Sequence, residues 1–173
     1  PFNRLYAKMQ FFPWMEAVVR YTEGKYKPYY PGNPQTWKDK AIDLKVKLTN
    51  EGDFLPAMSV GLHDFGGTGA FSSEYLVASK RFNNLDLTLG VGWGRFAGGT
   101  GGSIPSTQIS NPLSWLNEAL ASRAGPDAFA GQIILNRFFG GPDAAIFAGI
   151  EYYTPIPNLS AKLEYDTSNY SYE

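Results

Sequence analysis

The chain has no cysteine, which excludes disulfide staples, thiolate metal centres and a cysteine nucleophile. Its one histidine, His63, leaves no multi-histidine metal site and no nucleophile–base–orienter set. Charge is also scarce: Asp, Glu, Lys and Arg make up 18% of the residues, against about 25% in an ordinary soluble domain. The 15 basic and 16 acidic residues nearly cancel, so no basic surplus invites a nucleic acid. No apolar run approaches about 18 residues, which excludes a membrane-crossing helix. Alternating strands escape that test, because their two faces average out.

What the 173 residues hold instead is 16% aromatics, with 12 Phe, 11 Tyr and 19 Gly. Such a composition favours strands and argues against disorder. Period two is clearest over residues 40–49, where Ile42, Leu44, Val46 and Leu48 alternate with Asp43, Lys45, Lys47 and Thr49. A turn at Glu51-Gly52-Asp53 leads to a strand over 55–64, and another follows over 71–81 with Glu74 and Lys80 on its polar side. After the tight-turn signal Asn83-Asn84, Leu85, Leu87, Leu89, Val91 and Trp93 alternate with Asp86, Thr88, Gly90, Gly92 and Gly94. Further strands are expected over 6–21 (with Pro13 marking an edge or break), 128–138, 144–153 and 159–166.

About eight strands result, in an all-β antiparallel meander. Tight turns alternate in part with longer links at 22–40 and 95–127. In the second, Asn111-Pro112 opens a short helix expected over about 112–122. The strands are long enough to span a bilayer when tilted, at about 9–11 residues each. The expectation is a transmembrane β-barrel or an N-terminal portion of one. Its apolar row of Ile42, Leu44, Val46, Leu48, Leu85, Leu87, Leu89, Val91 and Trp93 would meet lipid. A lipocalin-like or sandwich domain would also alternate, and periodicity does not say which face meets lipid.

If the sheet wraps, the polar-face residues Arg20, Lys45, Lys47, Glu74, Lys80, Glu164 and Asp166 share an interior. They would form either an ionic network that rigidifies it or a polar path for a charged sugar polymer. The run Asp64-Phe65-Gly66-Gly67-Thr68-Gly69 lacks the partners of a kinase metal motif or a phosphate loop, and reads as a turn with backbone-permissive glycines. Glu16 and Glu164 are a weak glycosidase pair, because their separation is not fixed by the sequence. No catalytic residue, metal or cofactor is expected.

The run from Asp64 through Gly69, Ala70-Phe71-Ser72-Ser73-Glu74-Tyr75-Leu76-Val77-Ala78-Ser79-Lys80-Arg81-Phe82, resembles the YjbH family, with its related GfcD type. The likeness continues in Leu87-Thr88-Leu89-Gly90-Val91-Gly92-Trp93-Gly94-Arg95, in Phe12-Pro13-Trp14, in Glu151-Tyr152 and in Lys162-Leu163-Glu164-Tyr165-Asp166. The resemblance implies a lipoprotein barrel in the outer membrane of a Gram-negative bacterium, taking part in exopolysaccharide or capsule production and export. Its expected partners are outer-membrane lipid, polysaccharide and other proteins of the secretion operon. It implies no enzymatic residue, and it implies a longer protein of which this chain is the N-terminal part. Two alternatives stand beside the pore: an assembly factor without conductance, and a β-rich carbohydrate-binding module.

Overall fold

The computed structural model describes residues 2–97, 108–125, 133 and 135–167. They form one nine-stranded antiparallel sheet: β1 (Phe2–Phe12), β2 (Met15–Pro28), β3 (Thr36–Thr49), β4 (Ala57–His63), β5 (Ser73–Phe82), β6 (Leu85–Gly94), β7 (Gln108–Ser110), β8 (Asp143–Tyr153) and β9 (Ser160–Tyr165). Neighbours in sequence are neighbours in space from β1 to β6. Then β8 joins β6, and both β9 and β7 pair with β8. Hairpins of this kind need only tight turns, and Asn83 supplies one by accepting a left-handed φ of 53°.

The expectation of a transmembrane barrel, or of an N-terminal portion of one, is corrected: the sheet is open. Among the described residues β1 pairs only with β2, while β7 and β9 pair only with β8, so nothing joins the two edges. Alternation has the same period in open and closed sheets, and closure depends on strand number, tilt and stagger instead. Among the described residues there is no closed wall and so no lumen, and the reading of this sheet as a pore falls with it. Among the described residues no helix is long and apolar enough to cross a membrane.

Smaller corrections share a cause, which is that local pattern does not reveal where the chain folds back. The strand expected over 6–21 is two strands, because Pro13 and Trp14 form a tight turn between β1 and β2. Residues 22–40 are mostly strand, not loop. The helix expected over 112–122 is two 3-10 turns, Pro112–Trp115 and Glu118–Ala121, begun by the side chains of Asn111 and Asn117. Of the strand expected over 128–138, residues 128–132 and 134 lie outside the described residues, and Leu135–Arg137 is a 3-10 turn.

Cross-strand partners in an antiparallel sheet project to the same side, so the register sorts the two faces. One face carries Ala17, Ile42, Leu62, Leu76, Leu89 and Ile150, with Leu163 at its edge. The other carries Arg20, Asp43, Lys45, Gly61, His63, Tyr75, Ser79, Thr88, Gly149 and Glu164. The row expected to meet lipid has no single environment. Ile42, Leu48 and Leu89 are exposed, Leu44, Val46, Leu85, Leu87 and Val91 are half-buried, and Trp93 is only 3% exposed. Trp93 lies beneath the segment that begins at Asn111, donating its indole N–H to Asn111 Oδ1 at 2.8 Å and meeting Phe139 edge-on at 5.2 Å.

Candidate functional site

The polar face is built on glycine. A Cβ at Gly61 would collide with the Tyr75 ring, one at Gly90 with Phe147, and one at Gly92 with Phe96. Each missing side chain thus leaves room for a ring laid against the sheet. Tyr75 and Phe147 are the direct cross-strand partners of Gly61 and Gly90. The three rings form a cluster, with Phe96 and Phe147 stacked at 5.8 Å and Tyr75 standing edge-on to both at 6.0 and 6.3 Å. His63 extends it, 5.7 Å from Tyr75 and 6.0 Å from Phe96. Burial pushes the Tyr75 hydroxyl above its ordinary pKa, with the Glu16 and Asp43 carboxylates adding to the shift.

Beside this cluster runs a groove of about 720 Å³ across β5, β6, β8 and β9. Its floor is a rung of small groups, Ser79, Thr88, Gly149 and then Glu164, with Ser79 and Thr88 hydroxyls 2.8 Å apart. One wall is aromatic, Tyr75 and Phe147; the other is the charged rung Arg81, Asp86, Glu151 and Lys162. Arg81 grips Asp86 through Nε at 3.1 Å and Nη2 at 2.5 Å, and stacks its guanidinium on Tyr153 at 4.8 Å. That grip is the main cause holding the Asp86 carboxyl below, and the Arg81 guanidinium above, their ordinary values. At Glu151 burial works upward, but hydrogen bonds from Lys162 and Ser160 outweigh it and the carboxyl is held low.

A second, smaller cavity of about 170 Å³ lies across the aromatic cluster, sharing Phe96 with the groove. Arg4, Arg20, Thr22, His63, Phe71, Ser73 and Arg95 line it. Arg20 approaches Asp43 Oδ1 at 3.4 Å, and His63 Nδ1 lies 3.5 Å from the other oxygen of that carboxylate.

The residues singled out from the sequence do not form one network. Arg20, Lys45, Lys47 and Glu164 share the polar face, with Lys45 and Lys47 exposed and outside the groove's lining, while Asp166 and Glu164 line the groove. Glu74 and Lys80 lie on the opposite face, because β5 places Tyr75, Val77 and Ser79 on the polar side. Glu74 is fully buried: Arg123 donates to its two oxygens at 2.7 and 2.8 Å, and the Phe139 N–H adds a bond at 2.9 Å. Lys80 Nζ donates to the Gly52 and Asp53 carbonyls at the turn.

The run Asp64 to Gly69 folds inward as a cover on β3. The Phe65 N–H donates to Ile42 O at 2.7 Å, the Ile42 N–H to Gly66 O at 3.2 Å, and the Thr68 hydroxyl to Asp39 at 2.5 Å. Gly69 holds a left-handed φ of 74° against the Arg137 guanidinium, which a Cβ there would strike. Sequence reasoning missed Arg4, Thr22, Phe71 and Arg95. The signal for the first two was the Pro13-Trp14 turn, which sets Arg4 opposite Thr22.

These features define an open antiparallel sheet with a polar, aromatic-studded face and an apolar face roofed at one end by its own loop. The whole chain, residues 1–173, matches the family described as exopolysaccharide biosynthesis protein YbjH. It is 43% identical over 169 residues to the uncharacterized lipoprotein YjbH of Escherichia coli (strain K12), an alignment covering 95% of this chain and 23% of that protein. The chain belongs to the YjbH family. No solved structure matches it.

Proposed function

We propose that the chain is a non-enzymatic glycan-binding module of an exopolysaccharide production apparatus. The observation that carries this reading is the groove across β5, β6, β8 and β9. Sugars offer apolar C–H faces and a fringe of hydroxyls, and the groove answers with ring surfaces on one wall, hydroxyls on its floor and ion-paired carboxylates on the other wall. Three strand spacings make it roughly 14 Å long, which suits a short stretch of polymer and not a single small metabolite. The pairing of Arg81 with Asp86, and of Lys162 with Glu151, suits passive hydrogen bonding more than proton transfer.

The description of the relative as a lipoprotein supports membrane association, and the family resemblance supports the outer membrane as the place. Neither requires this sheet to cross the bilayer. Calorimetric titration of the chain with exopolysaccharide fragments tests the reading. Tyr75→Ala and Phe147→Ala should each weaken binding by about tenfold or more, as loss of an aromatic anchor does. Wild-type protein that takes up no fragment, or variants that bind equally well, would sink it.

A second reading, an assembly factor for the secretion machinery, is favoured by the exposed apolar residues Leu5, Val19, Leu89 and Leu163. It separates cleanly from the first: Leu89→Lys would then impair export while leaving glycan binding intact.

A further inference from the structure

The two edges of the sheet are finished differently. On one side β9 is six residues long and carries Lys162 and Glu164, and β7 is three residues long. Short or charged edges of that kind resist further pairing. On the other side β1 is eleven residues long, contains no proline, and is exposed over residues 3–12. Its register is disturbed only near the turn, between Gln10 and Phe12. Lys8 is drawn to Glu16 of β2 at 2.8 Å, while Leu5 and Tyr6 are 73% and 70% exposed. Among the described residues the backbone of residues 5–12 pairs only with β2, so alternate residues turn an N–H and a C=O outward. A long, flat edge of this kind is a template for another strand.

We propose that β1 pairs antiparallel with β1 of a second copy of this chain, about a two-fold axis at Ala7. The choice of partner follows from the strand's own sequence. Opposite residues of an antiparallel pair turn their backbone groups the same way, so a strand meeting its copy sets odd residues on odd and even on even. The register that overlaps residues 2–12 in full sets Ala7 on Ala7, Leu5 on Met9 and Tyr6 on Lys8, with Arg4 facing Gln10. Sliding it by two residues either way sets Arg4 on Lys8 or Lys8 on Lys8, and like charges directly opposite are destabilising. The fully overlapped register is free of that clash. It also joins the exposed Leu5 and Met9 of both copies to Val19 and Ile42 behind them on the same face. Such a contact is self-complementary and closes at two copies, whereas β1 against β9 of another copy would run on without closing. The pairing does not depend on what the groove across β5 to β9 holds.

Sedimentation equilibrium of the chain tests this. A seam of one strand pair is smaller than a standard interface, so a reversible dimer is expected to form between about 1 and about 100 μM. Ala7→Lys sets like charges at the axis and should weaken association by about tenfold or more. Leu163→Lys, on the opposite edge, should leave it unchanged, with circular dichroism checking that both variants fold. The chain has no cysteine, so single cysteines read the register without background, whether or not Ala7→Lys folds. Under mild oxidation Ala7→Cys should link to itself, and Leu5→Cys to Met9→Cys in a mixture, while Tyr6→Cys and Lys8→Cys should link to themselves far more slowly. A chain that stays monomeric up to about 100 μM overturns the proposal. So does association that persists in folded Ala7→Lys, oligomers beyond the dimer that Leu163→Lys dissolves, or self-linking fastest at Tyr6→Cys or Lys8→Cys. Tyr75→Ala should not alter the association, and failure of the glycan reading leaves this one standing.

Discussion

Ser73 and Glu74 are consecutive, yet they point into two buried polar clusters on opposite faces of the sheet. On the apolar face Glu74 has every oxygen occupied by Arg123, Ser72 and the Phe139 N–H. Asn111 beside it is equally complete, accepting from Trp93 and Leu113 and donating to the carbonyls of Leu120, Phe139 and Gly141. On the polar face Ser73 borders a cavity where the Thr22 hydroxyl and Arg20 Nε lack hydrogen-bond partners, while Arg20 Nη2 pairs with Asp43 at 3.4 Å. A satisfied network fixes its own loop and has nothing to offer a ligand. An incomplete one leaves polar atoms inside the fold at a cost in free energy. The tally of hydrogen bonds tells the two clusters apart.

The contrast breaks most sharply at Glu74. Glu74→Gln leaves Arg123 without its counter-charge in a buried site and should cost about 3–5 kcal/mol, read from urea unfolding. The double replacement Glu74→Leu with Arg123→Met should recover most of that, because it removes both desolvated charges together. Asn111→Ala comes next. It strands the Trp93 indole N–H and lets the loop end lift from the sheet, at about 2–3 kcal/mol, with a change in tryptophan fluorescence as the independent sign. If either change proved as mild as Thr22→Val, which removes a hydroxyl without a partner, the distinction between complete and incomplete networks would fail.

Much of the architecture was legible in the sequence, and the part that was not has a physical explanation. The alternation over residues 40–49 and 85–94 and the turn at Asn83 gave an all-β antiparallel meander, because each reflects a local backbone preference. Whether its edges meet is not a local property, and the expected barrel was corrected for that reason. The phase of β5 was misread because Tyr75 and Val77 look like members of an apolar row. They sit instead on the polar face, where Gly61, Gly90 and Gly92 give rings the space they need. The glycines opposite Leu87 and Leu89 were visible as small residues; what they make room for required the register. Arg4, Arg20 and Arg95 come from three separate segments, and only the hairpins bring them to Phe71.

The smallest expected effect concerns pH, and it sharpens the comparison from the polar side. Burial tends to raise the Asp43 carboxyl, but the His63 hydrogen bond, the Asp64 N–H and the Arg20 charge outweigh it and hold Asp43 below the ordinary 3.8. Its contribution to stability is therefore complete above that value and lost as pH falls through the depressed one. Asp64 behaves oppositely. Burial, helped by the Asp39 and Asp43 charges, raises it despite the Phe71 N–H, so its favourable contribution is complete below 3.8 and lost as pH rises through the raised value. Asp64 Oδ1 is also left without a partner. Unfolding midpoints followed from acid to neutral pH should then show Asp43→Asn weaker than the parent at neutral pH, with the gap closing in acid. Asp64→Asn should be at least as stable as the parent at neutral pH, and should lose the parent's decline just above 3.8. Parallel profiles for both variants would mean that the polar-face carboxylates are as settled as Glu74, and the comparison would rest on the partnerless Thr22 hydroxyl and Arg20 Nε alone.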